Sequence, residues 1–464
     1  MTYKNSLLEN KSTVAIWGTG YIGYSTMLHL AAEGVTCCGY DPDPQKVELI
    51  NRGGHPVPGL NDWINIDPAP LLAEKRMRAT GNVQDVLDQD VLVHVIAVPT
   101  ERGGQPWWEP LRQVVNQLAD ALSAGPRRKM RPLVVIESTL TPGTTDNLIL
   151  PILADHDLEI GRDLLLGIAP RRDWFVAPDK TLRTLDRIFC GIDADSTEAT
   201  YDFLSILCLN LHRASNHRVG ELVKCVENAY RHVEIVLANQ LCLGYPDIDM
   251  REVLSLASTK WNMGLFQPSF GTGGYCIPLA GQYVMQGATY PETLSLLSAA
   301  FESDIDMRRR VAQAVLSRGR QSVGILGLAY RGDLKVSAMS PTLLIAKHLV
   351  DAGASVKIHD PYYSGEEITR ATGALTFELP DDLEMFDTLL VNASHERYLE
   401  PDIKEAVLAR ADTLLVIDNY GAWSHWQWPP QAEYYRAGSR GWLDSPGVLK
   451  SPETASALLA NSVV

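Results

Sequence analysis

The sequence contains few cysteines, and their spacing is not that of a metal site or a disulfide framework. Its 464 residues include seven cysteines, an odd number, and none of their spacings is typical of zinc ligands. Disulfides accumulate in oxidising compartments, so a scattered, odd set of thiols indicates a reducing one. The sequence therefore predicts no bound metal and a cytoplasmic protein.

Long apolar runs and an excess of positive charge are also missing. No stretch is as long and apolar as a membrane-spanning helix, and residues Met1–Ser12 are polar where a secretory signal would be apolar. Lys and Arg number 41 against 56 Asp and Glu, which gives a formal net charge of -15. Nucleic acid and anionic membranes would repel such a chain, so we expect neither as a partner.

A glycine-rich turn lies close to the N-terminus. The segment Gly-Thr-Gly-Tyr-Ile-Gly follows the apolar run Val14–Trp17 and leads into a helical pattern. Its glycines permit a tight turn, close approach of the backbone to a pyrophosphate, and close packing of helix on strand. The phosphates would then meet the backbone N–H groups of a helix N-terminus. The predicted cofactor contacts in this turn are Gly18, Gly20, Tyr21, Ile22 and Gly23.

An acidic residue follows the turn at the distance where the cofactor's ribose would meet it. The apolar run Val35–Tyr40 ends on Asp41. Its carboxylate would accept hydrogen bonds from the adenosine ribose hydroxyls and would repel the 2′-phosphate of NADP. The predicted cofactor is therefore NAD.

Further apolar runs, separated by helical stretches, predict a doubly wound parallel sheet. They are Val91–Val98, Leu133–Ile136 and Leu164–Ile168. An open sheet of this kind binds its ligand at the carboxyl ends of its strands. Four candidate contact residues stand at two of these ends, where cofactor or water contacts and ordinary strand-end capping are both consistent with the pattern. They are Pro99, Thr100, Glu137 and Thr139.

The opening architecture recurs in the last third of the chain. Ser322–Gly327 repeats the strand and turn, a helix starts at Pro341, and the strand Val356–His359 ends on Asp360. The second turn lacks the full glycine triplet and should bind a different nucleotide. Two helical stretches, Arg218–Leu243 and Thr293–Arg318, lie between the two halves.

The predicted fold is therefore α/β, with two Rossmann-like doubly wound parallel-sheet domains joined by a long central helical region. We place the NAD-binding domain at residues 1–212, the helical region at 213–315 and the second Rossmann-like domain at 316–464. The segment Trp423–Trp442 is dense in aromatic residues. It is expected to pack on the second domain, with a substrate lid or a subunit contact as alternatives.

Two features of the central region could carry chemistry. Cys276 ends a glycine-rich loop that can wrap a ligand and deliver the thiol to it, whereas the other six cysteines are interpreted as small buried apolar residues. Lys224 and Asn228 stand four apart, so they share one face of a helix. There they could hold an alcohol oxygen and its proton, or they could belong to a solvated helix face.

These motifs together resemble the UDP-glucose/GDP-mannose dehydrogenase family over nearly the whole chain. The resemblance rests on six segments: the Gly18 turn, Ile96–Thr100, Glu137–Thr144, the Lys224/Asn228 helix, the Cys276 loop and Gly327–Arg331. It implies an NAD-dependent, four-electron oxidation of a nucleotide sugar's C6 alcohol to the uronic acid. The loop sequence Pro-Ser-Phe-Gly-x-Gly-Gly-Tyr-Cys favours a UDP-linked sugar. A homodimer or a larger homo-oligomer is also implied.

The resemblance assigns roles to individual residues. Lys224 and Asn228, with a water held by Thr139, would assist the first hydride transfer, and Cys276 would form a thioester that water hydrolyses. The residues expected to bind the substrate are Phe270, Gly271, Gly273, Gly274 and Arg331.

Several positions depart from the family pattern. Ala280 replaces an aspartate four residues after the cysteine, and Arg171 stands where a glutamate is usual. Val336 and Ala338 align with an Asp-x-Arg segment, and Asn262 aligns with an arginine. Lys260, Arg331, Lys335 and Arg172 are the basic residues that could compensate. The alternatives are a two-electron alcohol or hydroxyacid dehydrogenase using Lys224 and Asn228, and a catalytically impaired nucleotide-sugar-binding protein.

The Asp41 assignment predicts that NAD binds far more tightly than NADP, because a carboxylate at this place repels the 2′-phosphate. Titration calorimetry with both cofactors measures this directly. Comparable affinities would remove Asp41 from its role. A bulky residue at Gly20 should abolish binding of either cofactor by blocking the pyrophosphate.

Overall fold

A computed structural model describes residues 2–57, 60–126, 128–172, 181–264 and 266–443. The chain divides into two compact units, Met1–Glu227 with Tyr283–Thr289, and Asn228–Gln282 with Tyr290–Val464. The domain boundaries placed at 212/213 and 315/316 remain predictions. Residues 444–464, which belong to the predicted second Rossmann-like domain, lie outside the described part.

The first unit alternates strands with helices. Its strands are β1 Thr13–Trp17, β2 Cys37–Tyr40, β3 Met77–Thr80, β4 Val91–Ile96, β5 Glu101–Arg102, β6 Gln105–Pro106, β7 Leu133–Ile136, β8 Leu165–Ile168, β9 Arg187–Gly191 and β10 Leu211–Arg213. Its helices are α1 Tyr3–Leu8, α2 Tyr21–Ala32, α3 Pro44–Asn51, α4 Leu60–Ile64, α5 Pro68–Ala73, α6 Glu109–Ala124, α7 Leu150–Asp155 and α8 Ala194–Leu204. Two further helices, α9 His217–Gly244 and α11 Ile277–Gln286, contribute residues to both units.

The second unit repeats this alternation. Its other helices are α10 Met250–Ala257, α12 Ser295–Leu316, α13 Pro341–Asp351, α14 Gly365–Thr372 and α15 Pro401–Ala409. Its strands are β11 Ser322–Leu326, β12 Ser355–His359, β13 Leu375–Thr376, β14 Thr388–Val391, β15 Leu415–Asp418 and β16 Glu433–Arg436.

The main sheet of the first unit is doubly wound. Its eight strands lie in the order β10-β9-β8-β7-β4-β1-β2-β3, so the winding reverses between β1 and β4. Every residue of β4, β7 and β8 is buried, as expected for strands with both faces covered by helices. The carboxyl ends of β1 and β4 flank the point where an open sheet binds its ligand.

The second unit has the same winding. Its six strands lie in the order β13-β12-β11-β14-β15-β16, and all neighbours are parallel. The α/β fold with two Rossmann-like sheets and a central helical region is therefore confirmed. The first sheet is not wholly parallel, because β9 pairs with β8 in the antiparallel sense. β9 was not predicted, since its sequence Arg-Ile-Phe-Cys-Gly mixes a charged residue and a glycine with apolar ones.

The aromatic segment near the end of the described chain lies inside the second unit. Trp423 and Trp426 are buried and stack on each other with ring centroids 4.6 Å apart, and Trp428 stacks on Tyr434 at 4.4 Å. The indole of Trp442 lies parallel to the Phe270 ring, 6.1 Å away. These rings therefore form part of the second unit's own core.

One buried histidine makes stability depend on pH. His94 in β4 has no solvent exposure, and burial, with a smaller effect from Arg128, lowers its pKa to about 3. An unfolded histidine has a pKa of about 6.5, so acid favours the unfolded chain once the pH falls below that value. Stability contributed by neutral His94 is complete above pH ~6.5 and is lost as the pH falls towards 3.

We expect the free energy of unfolding to fall by up to about 1.4 kcal/mol per pH unit below pH ~6.5 on account of His94. In the variant His94→Gln, the free energy of unfolding should fall less steeply between about pH 7.5 and about pH 5. Urea unfolding at each pH measures this. The exposed His425 provides the control, since His425→Gln should leave the slope unchanged. An identical slope in His94→Gln and the wild type would contradict the assignment.

Candidate active site

The glycine turn joins β1 to α2 in a conformation that requires glycine. Gly18 has a φ of +89°, which L side chains rarely adopt, and its N–H donates to the Tyr40 carbonyl oxygen at 2.9 Å. A Cβ at Gly18 would lie 2.7 Å from the carbonyl oxygen of Ala97, at the end of β4. The turn is therefore pressed against the neighbouring strand end.

The other two glycines have different surroundings. A Cβ at Gly23 would lie 1.9 Å from the Gly18 carbonyl oxygen, so α2 packs against the turn with no room for a side chain. At Gly20, the N-cap residue of α2, no heavy atom lies within 4 Å of the Cβ position. The space beside Gly20 is open, and the N–H groups in the first turn of any helix are not used by the helix's own backbone ladder. These features fit a pyrophosphate, which would lie against Gly20, Tyr21 and Ile22.

The Asp41 carboxylate accepts hydrogen bonds from the turn and from the residues after it. Its Oδ2 accepts hydrogen bonds from the Thr19 backbone N–H at 3.0 Å and the Thr19 hydroxyl at 2.9 Å, and its Oδ1 accepts one from Asp43 N–H at 3.1 Å. The Lys46 ammonium lies 3.7 Å from Oδ2. The ribose contact remains a prediction. Thr19 was not predicted from the sequence, because the residue between the first two glycines of such a motif varies in chemistry.

The carboxyl ends of β4 and β7 are tied together. The Thr100 hydroxyl donates to the Thr139 carbonyl oxygen at 2.7 Å, and the Ser138 hydroxyl donates to the Val98 carbonyl oxygen at 2.7 Å. Tyr283 donates its hydroxyl to the Thr100 carbonyl oxygen at 3.1 Å. Pro99 is exposed beside them. The structure thus brings Thr100 and Thr139 together at the edge where a ligand is expected.

Glu137 differs from the other strand-end residues because its carboxylate is fully buried. It is paired with Arg187, accepts a hydrogen bond from the Thr26 hydroxyl at 2.6 Å, and lies 3.5 Å from the Arg171 guanidinium. Arg171 also donates to the hydroxyls of Thr26 and Ser25 on α2. Glu137 therefore links the sheet to α2, and its contact with the cofactor stays a prediction.

Lys224 and Asn228 lie on α9 and are buried, with 8% and 6% of their surface exposed. A solvated helix face does not describe them. No hydrogen bond or ion pair joins either side chain to another of the described residues. The start of α9 is held by Glu221, whose carboxylate accepts the backbone N–H groups of Gly143 at 2.7 Å and Thr145 at 2.8 Å.

Cys276 is exposed, whereas the other six cysteines are buried. It stands immediately before α11 and after a loop in which Gly271 and Gly274 have φ values of +122° and +82°. The Tyr330 ring covers this loop, since a Cβ at Gly273 or Gly274 would lie 2.4 Å or 2.9 Å from its atoms.

The basic residues considered as substitutes have different surroundings. Lys335 is paired with Glu367 at 2.7 Å, and Arg172 with Glu227 at 2.6 Å. Lys260 is exposed. Arg331 is partly buried, and burial lowers the pKa of its guanidinium.

Two of the positions that depart from the family pattern, Val336 and Ala280, carry no charge. Val336 is buried, and Ala280 is 2% exposed on α11, four residues after Cys276. The structure places Gly18, Asp41, Thr139 and Lys224 in the first unit. Asn228, Cys276 with its loop, and Arg331 belong to the second.

Comparison with protein families gives matches along most of the chain. Profiles of one family match with its NAD binding domain at residues 12–204, its central domain at 218–304 and its UDP binding domain at 324–425. The chain belongs to the UDP-glucose/GDP-mannose dehydrogenase family. The resemblance inferred from the motifs is confirmed, and so is NAD as the cofactor of the first domain.

Curated relatives of the family match nearly end to end. A UDP-N-acetyl-D-mannosamine dehydrogenase of Methanococcus aeolicus is 25% identical over 450 residues, 93% of this chain and 96% of the relative. A GDP-mannose 6-dehydrogenase of Pseudomonas aeruginosa is 24% identical over 87% of this chain and 92% of the relative. The relatives are thus nucleotide-sugar dehydrogenases, and the chain is an oxidoreductase of that kind.

Solved structures show the same fold. A UDP-D-ManNAc dehydrogenase from Pyrococcus horikoshii superimposes with a TM-score of 0.78 at 23% identity, over 92% of this chain and 99% of that one. A UDP-glucose dehydrogenase from Pyrobaculum islandicum gives 0.77 at 21% identity, over 92% and 98%.

Two further properties concern only the described part of the chain. None of its helices combines the length and the apolar composition needed to cross a membrane. In the same residues, no group of three or more His, Cys, Asp or Glu side chains could hold a metal ion.

Removing the charge of Glu137 should destabilise the first unit. Glu137→Gln would leave Arg187 buried without its carboxylate, and breaking a buried ion pair costs about 3 kcal/mol or more. Urea unfolding should detect this loss without any cofactor present. The exposed pair of Arg213 and Glu198 serves as control, since Glu198→Gln should change stability by less than about 1 kcal/mol. A Glu137→Gln protein as stable as the wild type would contradict the structural role.

Proposed function

We propose that this protein oxidises the C6 alcohol of a UDP-linked sugar to a carboxylate through a thioester on Cys276. One observation supports this most directly: among seven cysteines, only Cys276 is exposed, and it follows a glycine loop covered by Tyr330 of the second Rossmann-like turn. That turn opens the region matched by the UDP binding domain. The thiol thus belongs to the unit in which the nucleotide sugar would bind.

NAD at the Gly18–Gly23 turn supplies the hydride acceptor. The proposed contacts are the N–H groups of Gly20, Tyr21 and Ile22 for the pyrophosphate and Asp41 for the ribose. The open space at the Gly20 Cβ position supports the first part. Pro99, Thr100 and Glu137 remain proposed contacts further along the sheet edge, with Glu137 acting through its neighbours because its carboxylate is buried.

In the first oxidation the sugar's C6 alcohol loses a hydride and a proton and becomes an aldehyde. We assign Lys224 and Asn228 to the oxygen of that alcohol, with Thr139 holding a water nearby. Their burial supports the assignment, because a buried ammonium is stabilised by an oxygen that develops negative charge.

In the second oxidation the Cys276 sulfur adds to the aldehyde carbon and forms a thiohemiacetal. Loss of a second hydride converts it to a thioester, and water then releases the carboxylate and restores the thiol. The N–H groups at the start of α11, next to Cys276, can donate to the oxygen that becomes negative. Two hydrides leave for each sugar, so the reaction consumes two NAD.

Ala280 affects the hydrolysis step. It is buried on α11 four residues after Cys276 and supplies no carboxylate to activate water. General-base assistance is worth on the order of a hundredfold or more. We therefore infer that the thioester persists longer in this protein than it would with an acid at position 280.

The substrate is proposed as a UDP-linked sugar held by Arg331 and by the loop residues Phe270, Gly271, Gly273 and Gly274. The named activities of the relatives, on UDP-N-acetyl-D-mannosamine and UDP-N-acetyl-D-glucosamine among others, support a UDP-linked substrate. The partly buried Arg331 cation suits a diphosphate.

A homodimer or larger homo-oligomer is also proposed. Apolar side chains of α9 are exposed at intervals that fall on one face of the helix, and a second chain would cover them. They are Val219, Leu222, Val226, Tyr230 and Leu237.

We expect two NADH per UDP-sugar and a covalent adduct on Cys276. Spectrophotometry gives the ratio, and intact-protein mass spectrometry after mixing protein, NAD and sugar detects the adduct. Cys276→Ala should lose the adduct and the second oxidation, whereas the buried Cys242→Ala should keep both. Ala280→Asp should shorten the lifetime of the adduct, by up to about a hundredfold.

Other outcomes would identify a different function. One NADH per substrate with full turnover in Cys276→Ala would indicate a two-electron dehydrogenase that relies on Lys224 and Asn228. Binding of UDP-sugars without adduct or NADH would indicate a binding protein.

A further inference from the structure

The loop that leads to Cys276 is held along almost its whole length by hydrogen bonds to its backbone N–H groups. Ser269 donates to the Asn239 side chain and Phe270 to the Asn419 side chain, both at 2.8 Å. Gly274 donates to the Ala338 carbonyl oxygen at 2.8 Å. The loop is therefore ordered by the rest of the second unit before any ligand arrives.

The strongest of these attachments is made by Asp304 on α12. Its Oδ1 accepts the Thr272 N–H at 2.9 Å, and its Oδ2 accepts the Thr272 hydroxyl at 2.8 Å. Hydrogen bonds to a carboxylate are about twice as strong as neutral ones. Asp304 is 1% exposed, so these bonds do not compete with water. One buried carboxylate thus fixes both the backbone and the side chain of a residue four positions before the thiol.

Arg308 completes the attachment from the next turn of α12. Its Nη2 donates to Asp304 Oδ2 at 2.9 Å and to the Thr272 carbonyl oxygen at 2.6 Å. Gly271 packs against the same group, since a Cβ there would lie 3.1 Å from Arg308 Nε. The loop therefore packs closely against the ion pair of Asp304 and Arg308.

The charge on Asp304 suits a role in holding the loop and does not suit a role in proton transfer. Burial on its own would raise the pKa of the carboxyl, but Arg308 and His232 outweigh it, and the pKa lies below its usual value. The ionised form of Asp304 is therefore favoured, which suits a carboxylate that accepts hydrogen bonds. Because it is almost completely buried, it is enclosed by the protein and does not face a substrate.

We propose that Asp304 is a positioning residue for Cys276, holding Thr272 so that the thiol meets the aldehyde carbon at bonding distance and angle. This inference rests on the proposed thioester chemistry. Misplacing a reacting group by about 1 Å can cost on the order of a hundredfold in rate. Asp304 would thereby act on the second oxidation and leave cofactor binding unaffected.

The test uses two substitutions of similar size at Thr272. Thr272→Val removes the hydroxyl bond to Asp304 and keeps the shape, whereas Thr272→Ser keeps the hydroxyl. The full-length protein is mixed with NAD and a UDP-sugar, and adduct formation on Cys276 is timed by quenched-flow mass spectrometry. We expect Thr272→Val to form the adduct about 10- to 100-fold more slowly, with Thr272→Ser close to the wild type. The Kd for NAD should stay within about threefold (roughly 0.7 kcal/mol by the tenfold-per-1.4 kcal/mol relation).

A second measurement needs no substrate and tests the attachment of the loop independently of the proposed chemistry. Hydrogen exchange of the loop amides 269–274 should be faster in Thr272→Val, by roughly tenfold or more, because local opening becomes easier. Thr372→Val is the control: it deletes a hydroxyl that bonds to the Ile368 carbonyl oxygen on α14 of the same unit. It should change neither loop exchange nor adduct formation.

The two measurements together distinguish a positioning role for Asp304 from a purely structural attachment of the loop. Faster exchange with an unchanged adduct rate would overturn the positioning role, because the attachment would then be structural alone. Unchanged exchange in Thr272→Val would overturn the attachment itself. If the wild type forms no adduct with any UDP-sugar, the proposed function fails, and the positioning role fails with it whatever the exchange measurement shows.

Discussion

Buried carboxylates that accept backbone N–H groups hold the functional loops of this protein in place. Asp41 holds Thr19 in the glycine turn, Glu221 holds Gly143 and Thr145, and Asp304 holds Thr272. The second Rossmann-like half contains the same kind of hydrogen bond, in which Asp360 accepts the Ala329 N–H at 2.9 Å. A loop cannot supply its own hydrogen-bond partners as a helix does, so an acid from a rigid element takes that role.

Burying an acid is costly unless its charge is balanced, and the structure balances these acids with neighbouring donors and cations. Arg308 accompanies Asp304, Lys46 lies near Asp41, and His395 contacts Asp360 at 3.2 Å. Glu137 is paired with Arg187 in the same way. An overall acidic composition is therefore compatible with a well-ordered interior, because these buried acids are bound by donors.

Features that depend on neighbouring residues in the chain could be predicted from the sequence. The turn at Gly18 and the helix after it follow from local glycine chemistry and apolar periodicity, and the structure has both. The second sheet could be predicted because its strand, turn and acid repeat the first. By contrast, β9 was missed because a short strand of mixed composition has no distinctive pattern. Glu221 and Asp304 were also missed, since nothing in the residues around them indicates which distant N–H group they will accept.

The sequence by itself determined the family, the two Rossmann-like halves and the NAD preference expected from Asp41, because each is encoded in short segments whose chemistry is local. It also singled out Cys276 by its glycine-rich surroundings. Only the tertiary structure decided that the Glu137 carboxylate is enclosed by Arg187 and Thr26, and that Asp304 holds the loop before the thiol. These contacts join residues far apart in the chain, and their formation depends on how helices and strands pack, which no single segment specifies.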